Sequence, residues 1–119
     1  MGMPNDVLIV EDDAIIALDF EDTIRGFGVR AVRCASNVAR ALQLIDDRAP
    51  DFALLDVGLA SEKSFAVAER LQTMSIPFVF ISGYGSKVVL PVALRDTPML
   101  PKPCTTDVLE AALRQRMQG

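Results

Sequence analysis

The sequence contains no histidine. That absence removes Ser-His-Asp and Cys-His catalysis and argues against a zinc site, so any chemistry must run on carboxylates, hydroxyls and lysines. Cysteine is scarce too. Cys34 and Cys104 have no metal-like spacing and make no disulfide framework, which suits a reducing compartment. No apolar run approaches the roughly 18–20 residues of a membrane span, and no basic-then-apolar leader opens the chain, so a cytoplasmic location is expected. The net charge of -4 lacks the basic excess that a nucleic-acid backbone calls for. Linkers, low-complexity segments and internal repeats are also missing. The 119 residues fit one domain, 1–119, large enough to bury a core.

What is present is alternation. "DVLIV" is an apolar run of strand length. From Ala14 to about Phe27 the pattern turns helical, with Ile16, Phe20, Ile24 and Phe27 on one stripe, until Gly26 and Gly28 stop it. "VRAVRCA" alternates with period two. Ser36 then offers a cap for a helix carrying Val38, Ala41, Leu42 and Ile45 inward. "APDFALLDV" reads as a central buried strand, uncharged until Asp56. Phe65 to Met74 is helical with Val67, Leu71 and Met74 inward, and "IPFVFISG" is a fourth strand. Pro91 interrupts "SKVVLPVALRD", so the fourth helix is expected to be short or irregular. "PMLPKP" offers a brief fifth strand. Thr105 or Thr106 can cap a last helix with Val108, Leu109, Ala112 and Leu113 inward. Such repeated strand–helix alternation means α/β, a doubly wound five-stranded parallel sheet with helices on both faces. Ligands of that class sit beyond the carboxyl ends of the strands.

Those ends are where the polar residues fall. Glu11 and Asp12 follow the first strand, Asp56 ends the third, Ser82 the fourth and Lys102 the fifth. Crowded carboxylates repel unless a cation lies between them. Hard oxygen ligands favour Mg²⁺, which neutralises charge on a transferring group. Asp56 is a candidate nucleophile, able to take phosphorus as an acyl phosphate, with Lys102 and Ser82 holding the other phosphoryl oxygens. Asp13 is read as a first-turn helix residue, and both cysteines as small buried hydrophobes.

Four motifs in register, "VLIVEDD", "LLDVGL", "FISGYG" and "PKP", make the chain similar to response-regulator receiver domains over essentially its whole length. The resemblance implies the flavodoxin-like strand order 2-1-3-4-5. It implies Asp56 as phosphoacceptor, Glu11 and Asp12 as metal-pocket acids, and the Gly58 carbonyl as a further metal ligand. Ser82 matches the switch hydroxyl and Lys102 the phosphate-pairing lysine, with a cis Lys102–Pro103 bond. The phosphoryl donor would be a histidine kinase or phosphotransfer protein. The "PFVFISGYG" segment resembles stand-alone bacterial receivers with a phenylalanine-x-threonine-glycine motif. With no output domain after Gln118, the readout would be protein binding or onward phosphotransfer, and a piece of a hybrid kinase would act as a relay.

The chain departs from that pattern in places. Met99 stands where a switch aromatic is usual, Ser82 where threonine is commoner, and Cys104 where phenylalanine is usual. Tyr84 lies two residues after the switch hydroxyl, where it could shield or admit water. A degenerate receiver that binds partners without phosphorylation is one rival reading. Another is an aspartate-nucleophile phosphohydrolase, whose pattern puts a second Asp two residues after the nucleophile as general acid and base. Here "DVG" places Gly58 there.

Overall fold

The structure, a computed structural model, describes residues 3–59, 63–83, 90–102 and 104–118, the last three as backbone. Strands β1 (Asp6–Val10), β2 (Ala31–Ala35), β3 (Phe52–Asp56), β4 (Phe78–Ser82) and β5 (Met99–Pro101) alternate with helices α1 (Ala14–Gly26), α2 (Val38–Asp47), α3 (Phe65–Thr73) and α4 (Thr106–Gln118). All pairings are parallel, in the order β2-β1-β3-β4-β5. This is the doubly wound sheet expected from the alternation.

Period-two geometry divides the strand side chains between two cores. Leu8, Val10, Ala53, Leu55, Phe78 and Phe80 face α2 and α3. Val7, Ile9, Phe52, Leu54, Val79 and Ile81 face α1 and α4. Phe80 is completely buried and meets Phe65 and Phe78 edge-on, with ring centroids 6.1 and 5.8 Å apart. The central strands are buried on both faces, which explains why their sequences read as unbroken apolar runs.

Local signals set the helix ends. Asp13 is the N-cap of α1 rather than a first-turn residue, its carboxylate accepting from Ile15 N at 2.9 Å and Ile16 N at 3.1 Å. Gly28, at φ +97°, supplies the left-handed turn into β2. Asn37, not Ser36, caps α2 by accepting from Arg40 N at 2.8 Å. Thr105 caps α4 through Val108 N at 3.3 Å. Residues 86–89 of the segment "SKVVLPVALRD" lie outside the described residues; after them a single 3₁₀ turn runs from Val92 to Leu94, opened by Pro91, whose carbonyl accepts from Leu94 N. Met74 and Val108 are exposed rather than inward, one past the end of α3 and the other in the first turn of α4, where packing against the sheet has yet to begin.

At the amino-terminal end of the sheet, buried Asp6 accepts from Arg33 Nε at 3.1 Å and Arg48 Nε at 2.7 Å. Arg33 also donates to the carbonyls of Leu44 and Arg48. This carboxylate is a tie between β1, β2 and the end of α2.

Candidate functional site

The register brings the carboxyl ends together. Val10 stands opposite Leu55 and Asp56 opposite Ile81, while Ser82 pairs with Pro101. Beyond the strands the ladder runs one residue further: Glu11 N donates to Ala35 O, Val57 N to Ile81 O and Lys102 N to Ser82 O. The backbone therefore fixes where Glu11, Asp56 and Lys102 start, and their side chains converge.

Glu11, Asp12 and Asp56 each bring a carboxylate oxygen within 4.8 Å of the other two. Glu11 and Asp56 are buried and Asp12 is exposed. Lys102 Nζ donates to Glu11 Oε2 at 2.8 Å and to Asp56 Oδ2 at 2.9 Å. The second Glu11 oxygen accepts from Asp13 N, and the second Asp56 oxygen from Gly58 N, both at 3.1 Å. Both buried carboxylates are thus held from two sides, with Asp12 left at the mouth.

The electrostatics follow from burial and crowding. Burial pushes the Glu11 carboxyl up to about 7, against the opposing pull of the Lys102 ammonium, and neighbouring Asp56 adds to the rise. Burial alone would lower the Lys102 pKa, but its two carboxylate partners outweigh that and raise it. The ammonium stays charged because the acids need it.

Gly58 contributes its N–H to Asp56, and Ser82 ends β4 half-buried, its carbonyl accepting from Lys102 N at 2.8 Å. Among the described residues the Ser82 hydroxyl makes no hydrogen bond, so it is tied neither to the acids nor to Lys102. Met99 packs against the α2–α3 core, as its apolar character suggests. Cys104 is half-buried against the other core, whereas Cys34 is exposed beside Glu21, contrary to the reading of both as buried. Tyr84 and the Lys102–Pro103 bond lie outside the described residues.

Two features were not singled out from sequence. One is Lys63, on the loop after Asp56; one of three lysines in the chain, it carries no motif of its own. The other is exposed Ile15 and Leu18 on α1, outside the helix's inward stripe. Leu18 borders a groove of about 510 Å³ running from Glu11 and Asp12 to Cys34 and Arg40. A larger cleft of about 740 Å³, between Gln72, Pro77, Asp96 and Gln115, touches none of these acids. No helix among the described residues is long and apolar enough to cross a membrane.

Comparison with known proteins identifies the family and supports the fold. The family model for the response regulator receiver domain matches residues 7–114. The solution structure of SdrG from Sphingomonas melonis Fr1 is 40% identical, with a TM-score of 0.83, covering 98% of this chain and 99% of that one. The BeF3-activated conformation of SdrG from Pseudomonas melonis Fr1 is 39% identical, with a TM-score of 0.77, covering 96% and 97%. The phyllosphere-induced regulator PhyR of Methylorubrum extorquens is 26% identical over 97% of this chain, which spans only 44% of PhyR's own length. The chain belongs to the response-regulator receiver domains of two-component signalling.

Proposed function

We propose that the chain is a phosphoacceptor switch in which Asp56 takes a phosphoryl group from a partner histidine kinase or phosphotransfer protein. In the transfer an Asp56 oxygen forms a bond to phosphorus as the donor's nitrogen–phosphorus bond breaks. The electron pair of that bond stays with the donor imidazole, so the acceptor needs no histidine of its own. The observation that carries the reading is Lys102 Nζ bridging Glu11 and Asp56 at 2.8 and 2.9 Å. A cation held there meets the charge that develops on the transferring group without reorganisation.

The donor set suits Mg²⁺. Three carboxylate oxygens lie within 4.8 Å of one another, and burial pushes the Glu11 carboxyl up to about 7, so a cation bound there would favour its charged form. Glu11, Asp12 and Asp56, with the Gly58 carbonyl, would hold the ion. Bound Mg²⁺ would supply charge neutralisation at the phosphoryl oxygens.

Once Asp56 carries the phosphoryl group, Ser82 can turn its hydroxyl to it without breaking a hydrogen bond, and Lys102 can exchange a carboxylate partner for a phosphoryl oxygen. Both moves bias the loops after β3 and β4, a population shift that changes affinity for a downstream protein. Exposed Leu18, which shares a groove with Glu11 and Asp12, would offer a donor protein an apolar footing near these acids. The chain acts in the cytoplasm as a signalling domain, not as an enzyme with turnover. Gly58 in place of a second Asp disfavours the hydrolase alternative.

Incubation with acetyl phosphate and Mg²⁺ tests the reading. One phosphoryl mass should be added, and Asp56→Asn should abolish it; labelling that survives the substitution would reject Asp56 as acceptor.

A further inference from the structure

We propose that the cleft at the amino-terminal ends of β4 and β5 is a binding site for a small organic cation, with an amidinium or guanidinium head on a flat apolar body. Its volume of about 740 Å³ falls within the range of ordinary small-molecule sites. The cleft lies between the carboxyl end of α3 and the turn after the 3₁₀ segment, with Gln115 of α4 on a third side. Asp56 is at the other end of its strand, so a ligand here would not compete with a phosphoryl group.

The floor is apolar. Ile76 and Phe78 are buried there, and Pro77 and Pro98 flank them, half-buried, at the strand starts. The two walls are fastened to one another: Gln72 Nε2, on α3, donates to Ala93 O, in the 3₁₀ segment, at 2.9 Å.

The hydrogen-bonding groups around that floor decide the ligand's charge. Prolines at 77 and 98 bring no backbone N–H. The N–H groups of Ser75, Ile76 and Thr97 are spent on the carbonyls of Gln72, Leu71 and Leu94, and the Gln72 amide nitrogen already serves Ala93. Acceptors, by contrast, stand open. Asp96 is the one charged side chain lining the cleft among the described residues, and its carboxylate has no hydrogen-bond or ion-pair partner there. The Gln72 amide oxygen and the Ser75 and Thr97 hydroxyls add further oxygens. A rim poor in donors and carrying an unpaired carboxylate disfavours phosphates and carboxylates. It suits a planar cation whose paired N–H groups can meet both Asp96 oxygens while its body covers Phe78 and the prolines.

The test titrates the isotope-labelled full chain with benzamidine and follows the backbone amides, with benzamide as a neutral probe of nearly the same shape. Benzamidine should shift residues 76, 78, 93, 96 and 97 with a Kd of about 1 mM, as expected of so small a ligand. Benzamide should bind about fivefold more weakly or worse, and added salt should weaken benzamidine alone. Asp96 is exposed, so Asp96→Asn should keep the fold, which the same spectra report, and should reduce benzamidine to the level of benzamide. Equal binding of the two probes, or benzamidine binding unchanged in Asp96→Asn, would overturn the proposal. So would shifts confined to residues 11, 12 and 56, which would put the cation on the acidic pocket instead.

Discussion

The Lys102 ammonium lies 2.9 Å from the Asp56 carboxylate, although 46 residues separate them in sequence and β4 stands between their strands. Parallel register makes this possible. Asp56 pairs with Ile81 and Ile81 with Leu100, so the chain leaves β5 level with the end of β3. One side chain then spans the intervening strand to reach both Asp56 and Glu11.

Removing that cation should expose the repulsion it offsets. At pH 8, Lys102→Ala should lower unfolding stability by about 1–3 kcal/mol, discounted because the side chain keeps some contact with water. Added Mg²⁺ should restore part of the loss. Urea unfolding with and without Mg²⁺ measures both, and unchanged stability would show that the acids do not depend on Lys102.

Glu11 gives the metal-free protein a pH dependence with a definite sign. Burial raises its carboxyl from 4.5 in the unfolded chain to about 7 in the folded one. The folded state therefore binds this proton more tightly, and the contribution is fully present below 4.5 and lost as pH rises through about 7. Stability should decline between pH 5 and 8 in the metal-free parent and flatten in Glu11→Gln. Because the proton and Mg²⁺ compete for this carboxylate, Mg²⁺ affinity should strengthen across the same window.

Ser64 is the N-cap of α3, yet its side chain makes no capping bond, and its completely buried hydroxyl has no partner among the described residues. Its backbone, at φ -85° and ψ 15°, is not the extended form in which Asp13 and Asn37 cap α1 and α2. A buried, unpaired hydroxyl costs about 1–3 kcal/mol, so Ser64→Ala should stabilise the protein by about 1 kcal/mol. A drop in melting temperature would mean that the hydroxyl has a partner after all.

Cys34 is exposed but should be a poor nucleophile. Burial of its sulfur, then the charge of Glu21 beside it, pushes the thiol up to about 11. Its alkylation at pH 8 should be about a hundredfold slower than that of an ordinary thiol, and Glu21→Gln should speed it. Rapid labelling of Cys34 in the native parent would contradict this.

Sequence periodicity was enough for the sheet. Apolar runs buried on both faces, such as "VLIV" and "FALL", are legible because every residue in them meets a core. The polar strand ends were legible for the converse reason: a carboxylate or lysine directly after such a run has no core to join. What could not be read depended on side chains beyond pattern. Asn37 rather than Ser36 caps α2 because only the folded turn aims its oxygen at Arg40 N. Buried Asp6 carries no signal in the sequence for the two arginines from distant elements that neutralise it. Met74 and Val108 fit a helical stripe, yet sit where the helix has left the sheet or not yet reached it. That Lys63 pairs with Gly58 in an isolated antiparallel bridge is likewise invisible to periodicity.

The most direct measurement is the backbone amide spectrum of the isotope-labelled protein titrated with beryllofluoride in Mg²⁺. Shifts should concentrate at residues 11–12, 56–58, 63, 82 and 102, and should vanish in Asp56→Asn. A spectrum that does not respond, or that responds equally without Asp56, would contradict the claim that this aspartate is the phosphoryl acceptor.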